Sequence, residues 1–137
     1  MPPLARALVE SALGGTPYLA PAVELLEQAV HGGSDECVAV WTEHGGAATA
    51  LALVGLVAGA SGAGRIRLLL GNDPHLVARA CDVLRAMGAR FVVAEWPADA
   101  AFAAAVALLE QYGFTEIARI PDYYRPGVDQ VVLRHDL

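Results

Sequence analysis

Basic residues are scarce in this sequence, and their scarcity excludes one class of function. The chain of 137 residues has nine lysine and arginine residues against fifteen aspartates and glutamates, a formal net charge of −6. A general nucleic-acid-binding protein needs a basic face for the phosphates, so we predict that nucleic acid is not a partner. An acidic surface is compatible with a cationic or amine substrate.

Cysteine is almost absent. Cys37 and Cys81 stand alone, without a CxxC pair or a spacing typical of metal ligands. We expect both to be buried free thiols and the compartment to be the reducing cytoplasm. The four histidines are also scattered, so we predict no metal site; they are His31, His44, His75 and His135.

Charge is missing altogether from one stretch, Gly45–Gly64. A transmembrane helix needs about 20 apolar residues, but the strongly apolar part here is only Leu51–Val57, with glycines around it. A buried strand between glycine turns explains this composition more simply. The first helix carries Arg6 and Glu10, where a signal peptide would be apolar. We therefore predict no membrane partner.

Hydrophobic residues make up 55% of the chain, and their spacing predicts one compact domain over residues 1–137. Glycine pairs, proline and aspartate mark the ends of the segments. The predicted helices are Leu4–Leu13, a second from Thr16-Pro17 to Gly32, a third capped by Asp73 and ended by Gly88, and Asp99–Tyr112. The predicted strands are Glu36–Thr42, Thr49–Val57, Arg65–Leu70, Arg90–Trp96, Phe114–Ile120 and Asp129–His135, the last two joined by a loop over Pro121–Val128.

The order of these segments predicts an α/β (α+β) fold. Three consecutive strands with short glycine turns form an antiparallel meander. The helix that follows them makes a crossover from Arg65–Leu70 to Arg90–Trp96, which places those two strands side by side and parallel. The turn Gly59–Gly64 is a near match to a phosphate-binding loop, but Arg65 and Ile66 replace the required Lys and Ser or Thr, and a strand follows it. We interpret it as a strand connection.

The C-terminal third carries a more specific pattern. It has Glu110-Gln111-Tyr112-Gly113-Phe114 at the end of a helix, then Pro121-Asp122-Tyr123-Tyr124, then a closing strand Val131–Leu133. These segments, at these distances, resemble the end of the GNAT N-acetyltransferase fold. The resemblance implies a mixed, mostly antiparallel central sheet with helices on both faces. It also implies transfer of an acetyl group from acetyl-CoA to an amine.

The resemblance places a cofactor site where two strands separate. In that family the pantetheine arm enters the gap, and the pyrophosphate rests on the next helix N-terminus. The corresponding positions here are Leu69, Leu70, Gly71 and Asn72.

The same comparison implies candidate residues on the substrate side. Tyr123 and Tyr124 would line the acceptor groove, although aromatic packing on the core explains them equally well. Glu95, on an apolar strand, is the candidate general base if burial raises its pKa, and an outward edge position is the alternative. The family's proton-donating tyrosine falls at Leu109, so Tyr112, one turn further on, is the nearest substitute.

Three departures from the family leave two functions open, and Leu109 in the tyrosine position is one of them. The R/Q-x-x-G-x-G/A loop is missing, and Asp73 would place a carboxylate where a pyrophosphate should bind. The chain is either an N-acetyltransferase of an unknown amine or a GNAT-fold binding or dimerisation module without turnover. An apolar meander rich in strand edges is compatible with a homodimer.

Overall fold

A six-stranded sheet with four α-helices forms the frame of the protein. The computed structural model describes residues 5–137. The helices are α1 Ala5–Leu13, α2 Leu19–His31, α3 Pro74–Ala86 and α4 Ala103–Tyr112, the last preceded by a 3₁₀ turn, Ala100–Phe102. The strands are β1 Val38–His44, β2 Ala47–Leu56, β3 Ala63–Leu70, β4 Phe91–Pro97, β5 Thr115–Arg125 and β6 Val128–Asp136.

The strands lie in the order β1-β2-β3-β4-β6-β5. All neighbours are antiparallel except β3 and β4, which are parallel and joined through α3. The predicted meander, the predicted crossover and the mixed, mostly antiparallel α/β fold are therefore confirmed. The predicted first residue of α1, Leu4, lies outside the described residues.

The core lies on both sides of β2. Residues 50–55 of this strand are all buried, so side chains on both of its faces are covered. Helices α1 and α2 contact each other and the sheet, while α3 contacts α4 and the strands β1 and β2. The charge-free stretch Gly45–Gly64 thus becomes a central strand and its turns. No helix within residues 5–137 has the length and apolarity that crossing a bilayer requires.

Helix α2 begins later than predicted. The hydroxyl of Thr16 donates to the carbonyl of Leu13 at 2.7 Å and accepts from the N–H of Tyr18 at 3.2 Å. Thr16 therefore closes the turn after α1, and the helix starts at Leu19. The Thr16-Pro17 start was wrong by two residues, since the N-cap is Tyr18, because the Thr16 hydroxyl bonds back to α1 as well as forwards.

The predicted loop over Pro121–Val128 is also wrong in extent. Strand β5 continues to Arg125, and only Pro126-Gly127 form the turn. The strand passes an irregularity at Asp122, which has a left-handed φ of 54°. The side chain of Asp122 supports this conformation, since its Oδ1 accepts from the N–H of Gly127 at 2.8 Å. Tyr123 and Tyr124 therefore belong to the end of a strand.

Strand β5 is the outer edge of the sheet and is exposed along its whole length. Three of its large apolar side chains are more than two fifths exposed: Ile117, Ile120 and Tyr123. Pro121 leaves one position of this strand without a backbone donor, because proline has no N–H.

The parallel pair β3–β4 separates after a short contact. Only Ala63 to Arg65 pair with Phe91 to Val93. Beyond this point β3 pairs with β2 alone and β4 with β6 alone. A bulge at Arg67, which lies between the paired residues Ile66 and Leu68, accompanies the separation.

We expect Leu53→Ala to lower the free energy of unfolding by about 2–5 kcal/mol, because Leu53 is 0% exposed in the central strand. Urea unfolding measures this loss. The matched control, Ile120→Ala on the exposed edge, should stay within about 0.5 kcal/mol of the parent. Equal losses for the two variants would contradict the assignment of the core to β2.

Candidate functional site

A cavity of about 410 Å³ opens where β3 and β4 separate. Its walls come from α1, α2 and their connection, from both separated strands, from the 3₁₀ turn and from the end of β5. Most of the lining is apolar, including Leu13, Pro21, Leu25, Trp96 and Phe102. An apolar cavity with a few polar groups is the usual form of a small-molecule site.

The structure brings two of the predicted site residues together on this cavity. Glu95 and Tyr124 both line it. The Tyr124 hydroxyl donates to the main-chain carbonyl of Glu95 at 3.4 Å and accepts from Nε2 of Gln130 at 3.3 Å. Burial raises the pKa of Tyr124, so its hydroxyl stays protonated at neutral pH. Tyr123 points elsewhere: it is 55% exposed and does not line the cavity.

Glu95 is exposed, which corrects the premise on which its role as a base depended. Successive residues of a strand face opposite sides, and its neighbours Ala94 and Trp96 are the buried ones. Glu95 therefore occupies the outward position that was the alternative to a buried base. It remains the one carboxylate side chain in the cavity lining, among the described residues, and it can bind or deprotonate an amine there.

A polar cluster of Tyr18, Asp99 and Arg125 closes one rim of the cavity. The Tyr18 hydroxyl donates to Oδ2 of Asp99 at 2.9 Å. Arg125 donates to the Tyr18 oxygen and to the same Asp99 oxygen, each at 2.9 Å. The rim cluster ties the start of α2 to the end of β5 and to the connection after β4.

Trp96 lies across the gap between the separated strands. Its indole Nε1 donates to the main-chain carbonyl of Ile66 at 3.0 Å, and its side chain is 3% exposed. Trp96 of β4 thus donates a hydrogen bond to the main chain of β3 just beyond the residues through which the two strands pair. The Trp96 side chain therefore spans the gap between β3 and β4 at Ile66.

The N-terminus of α3 is already occupied by a carboxylate. Asp73 Oδ1 accepts from the N–H of His75 at 2.9 Å, and Oδ2 accepts from the Thr42 hydroxyl at 2.5 Å. The bond from Thr42, joined by the helix N–H, holds the pKa of Asp73 below its usual value. The predicted cap is confirmed, and the carboxylate stays negative at neutral pH.

The predicted cofactor residues lie away from the cavity. Leu69 and Leu70 are buried and pair with β2. A Cβ on Gly71 would come within 2.5 Å of the Thr49 carbonyl, so this turn packs against the start of β2. Asn72 lines a separate recess beside Asp73 that shares no residue with the cavity.

Tyr112 and Leu109 are both remote from the cavity lining. The Tyr112 ring packs against Phe114 and His135, and burial raises the pKa of its hydroxyl. Leu109 is 0% exposed and fills the core. Tyr112 is thus not brought together with Glu95, and its catalytic role stays a prediction.

Both cysteines are free and buried, as predicted. Burial raises the pKa of Cys81 to about 11, which leaves its thiol protonated and unreactive at neutral pH. Within residues 5–137, no three His, Cys, Asp or Glu side chains cluster to hold a metal ion.

Several solved structures share this fold over nearly the whole chain. A protein from Desulfovibrio desulfuricans assigned to the GNAT acetyltransferases is 23% identical, with a TM-score of 0.77 over 98% of this chain and 93% of its own. The ribosomal-protein-alanine N-acetyltransferase of Brucella melitensis is 17% identical, with a TM-score of 0.73 over 98% and 93%. A Salmonella typhimurium protein assigned as an acetyltransferase, solved with its cofactor acetyl-CoA, is 17% identical, with a TM-score of 0.71 over 96% and 86%.

Neither a protein-family model nor a curated protein sequence matches the chain. At these identities the similarity establishes the fold. The chain has the GNAT fold, with α1 as its first element in the described residues.

The two ends of the expected acetyl-CoA site differ in this chain. The separated strands β3 and β4 lie beside the cavity, in the part of the fold where the resemblance places a pantetheine arm. The helix N-terminus does not fit a pyrophosphate, because Asp73 holds a negative charge there and occupies the N–H of His75. The Ile66 carbonyl is also already satisfied by Trp96.

The sequence pattern missed the rim cluster and the bridging role of Trp96. Arg125 lies 107 residues from Tyr18 in the chain, so no local pattern pairs them. Asp99 is the one member of the rim cluster that a local pattern predicts, because an aspartate before a helix is a typical N-cap. Its side chain accepts from the N–H of Ala101 at 3.0 Å.

We expect Tyr18→Phe to lower the free energy of unfolding by about 0.5–1.5 kcal/mol, because it removes the hydroxyl that bonds both Asp99 and Arg125. Tyr123→Phe, which removes an exposed hydroxyl, is the matched control and should change stability by less than about 0.5 kcal/mol.

The loss in Tyr18→Phe should depend on pH. Hydrogen bonds from the Ala101 N–H and then from Tyr18 lower the pKa of Asp99 below 3.8. The stabilisation from its carboxylate is therefore complete above pH 3.8 and is lost as the pH falls through the lowered pKa. Urea unfolding at pH 7 and pH 3 should show the difference between the two proteins shrinking in acid. A difference that grows in acid would contradict the rim cluster.

Proposed function

We propose that the protein binds an amine-bearing small molecule in the cavity and acetylates that amine, as a GNAT-type N-acetyltransferase. The observation that carries this proposal is the separation of β3 from β4 with the cavity at its mouth. In relatives of this fold the donor and the acceptor meet at such a separation. The names of the structural neighbours support an amine as the acceptor class, and acetyl-CoA is the donor that they imply.

The cavity supplies groups suited to an amine. An amine attacks only after losing its proton. Glu95 would bind the ammonium form and take that proton, and its position in the cavity lining supports this role. The Tyr124 hydroxyl, held by Gln130, adds a polar contact on the same wall. The apolar side chains opposite would hold the body of the substrate and exclude water.

A second function, binding without turnover, is favoured by two contacts. Asp73 occupies the helix N-terminus, and Trp96 occupies the backbone acceptor in the gap. A protein that has lost the reaction but keeps the cavity would serve as a ligand-binding or dimerisation module. Fold similarity alone does not separate the two functions.

Acetyl-CoA at millimolar concentration should raise the melting temperature, because a ligand of the native state stabilises it by mass action. Release of free CoA thiol in the presence of primary amines should then report turnover. We expect Glu95→Gln to remove thiol release and to keep the thermal shift. Glu24→Gln, at an exposed position of α2, is the control and should retain both. A missing thermal shift in the parent protein would exclude the acetyltransferase and leave the second function.

Substitutions of Asp73 test why the N-terminus of α3 suits a pyrophosphate poorly. Asp73→Asn keeps a capping side chain and removes the charge, whereas Asp73→Gly removes both. If the charge is the obstacle, both variants should bind CoA about two- to fivefold more tightly in calorimetry. If the occupied N–H is the obstacle, only Asp73→Gly should gain. Unchanged or weaker binding by both would contradict this role for Asp73.

A further inference from the structure

Two arginines beside the cavity lack partners. Arg65 and Arg67 lie on β3 at the point where it leaves β4. In residues 5–137 the other seven arginines all donate side-chain hydrogen bonds, whereas these two donate none. In a chain with a net charge of −6, carboxylates are abundant, so two unpaired guanidinium groups side by side are unexpected.

The Arg65 side chain carries a buried group without a partner. Its Nε is, within the described chain, the one buried side-chain nitrogen or oxygen that lacks a hydrogen bond. A buried unsatisfied donor is costly, and a guanidinium donor more so. Such a group is expected where a ligand completes the site.

Arg65 and Arg67 line a recess of about 200 Å³ that adjoins the cavity. The recess has Glu36 as its single carboxylate side chain against the two arginines, which gives it a net positive charge. Arg67 lines both spaces, because the bulge in β3 places it at their junction. The recess and the cavity therefore form one continuous surface.

The geometry points to a zwitterionic ligand for this surface: a molecule with an apolar body, a primary amine and a carboxylate, such as an amino acid or a short peptide. Its carboxylate binds Arg67 and Arg65, its body lies against the apolar walls, and its amine lies at Glu95 on the opposite strand. Arginine suits a carboxylate because its planar donors match the two oxygens. This substrate class rests on the proposed function, since it names the amine that would be acetylated.

The test compares free acids with their C-terminal amides in the absence of acetyl-CoA. Calorimetry would use L-phenylalanine and L-leucyl-L-leucine, which differ in the distance between amine and carboxylate, and the amide of each. We expect at least one free acid to bind about tenfold or more tightly than its amide. Arg67→Gln and Arg65→Gln should remove that difference by weakening the acid and leaving the amide unchanged.

Arg85→Gln is the control, because Arg85 lies on α3 and pairs with the exposed Asp82. It should keep the full preference for the acid. Acid and amide of equal affinity, no saturable binding of either acid, or an equal loss for both ligands in Arg67→Gln would overturn the proposal.

These outcomes remain separable from those of the proposed function. Acetyl transfer to amines without any carboxylate preference would keep the reaction and remove this substrate class. Selective binding of the acid without thiol release from acetyl-CoA would keep the ligand and remove the reaction.

Discussion

The short parallel contact between β3 and β4 is the constraint on which the site depends. Three residue pairs hold the strands together, and α3 packs close enough over their start that a Cβ on Gly64 would come within 3.3 Å of Leu84. Past Arg65 each strand follows its antiparallel partner, and sheet twist carries them apart. The cavity, the bulge at Arg67 and the bridge from Trp96 to Ile66 all result from this separation.

Much of the fold follows from local patterns. The glycine turns, the cap at Asp73 and the change from alternating to helical spacing after Leu70 predicted the order of elements and the parallel crossover. The errors occurred where a side chain serves a second purpose. Thr16 bonds back to α1 and delays α2, and Asp122 stabilises a left-handed residue that lets β5 run on through both tyrosines.

The candidate site was less predictable because its parts are distant in sequence. Alternation along β4 decides that Glu95 is exposed and Trp96 buried, yet an apolar strand alone does not say which face carries the core. The rim cluster joins residues from three segments, and no local pattern pairs Tyr18 with Arg125. The family resemblance predicted Tyr124 in the acceptor groove; Tyr124 lines the cavity, and its role there is a proposal.

Strand β5 combines an exposed edge with one proline. A long apolar edge is a template on which further strands can stack without limit. Pro121 and the left-handed Asp122 interrupt the regular strand after Ile120. Two copies joined along β5 would lie about a twofold axis and cover this edge in both, leaving β1 as the outer edge of the combined sheet. Neither β6 nor an added strand can take a backbone hydrogen bond from Pro121, so the edge offers only an interrupted template for strand addition.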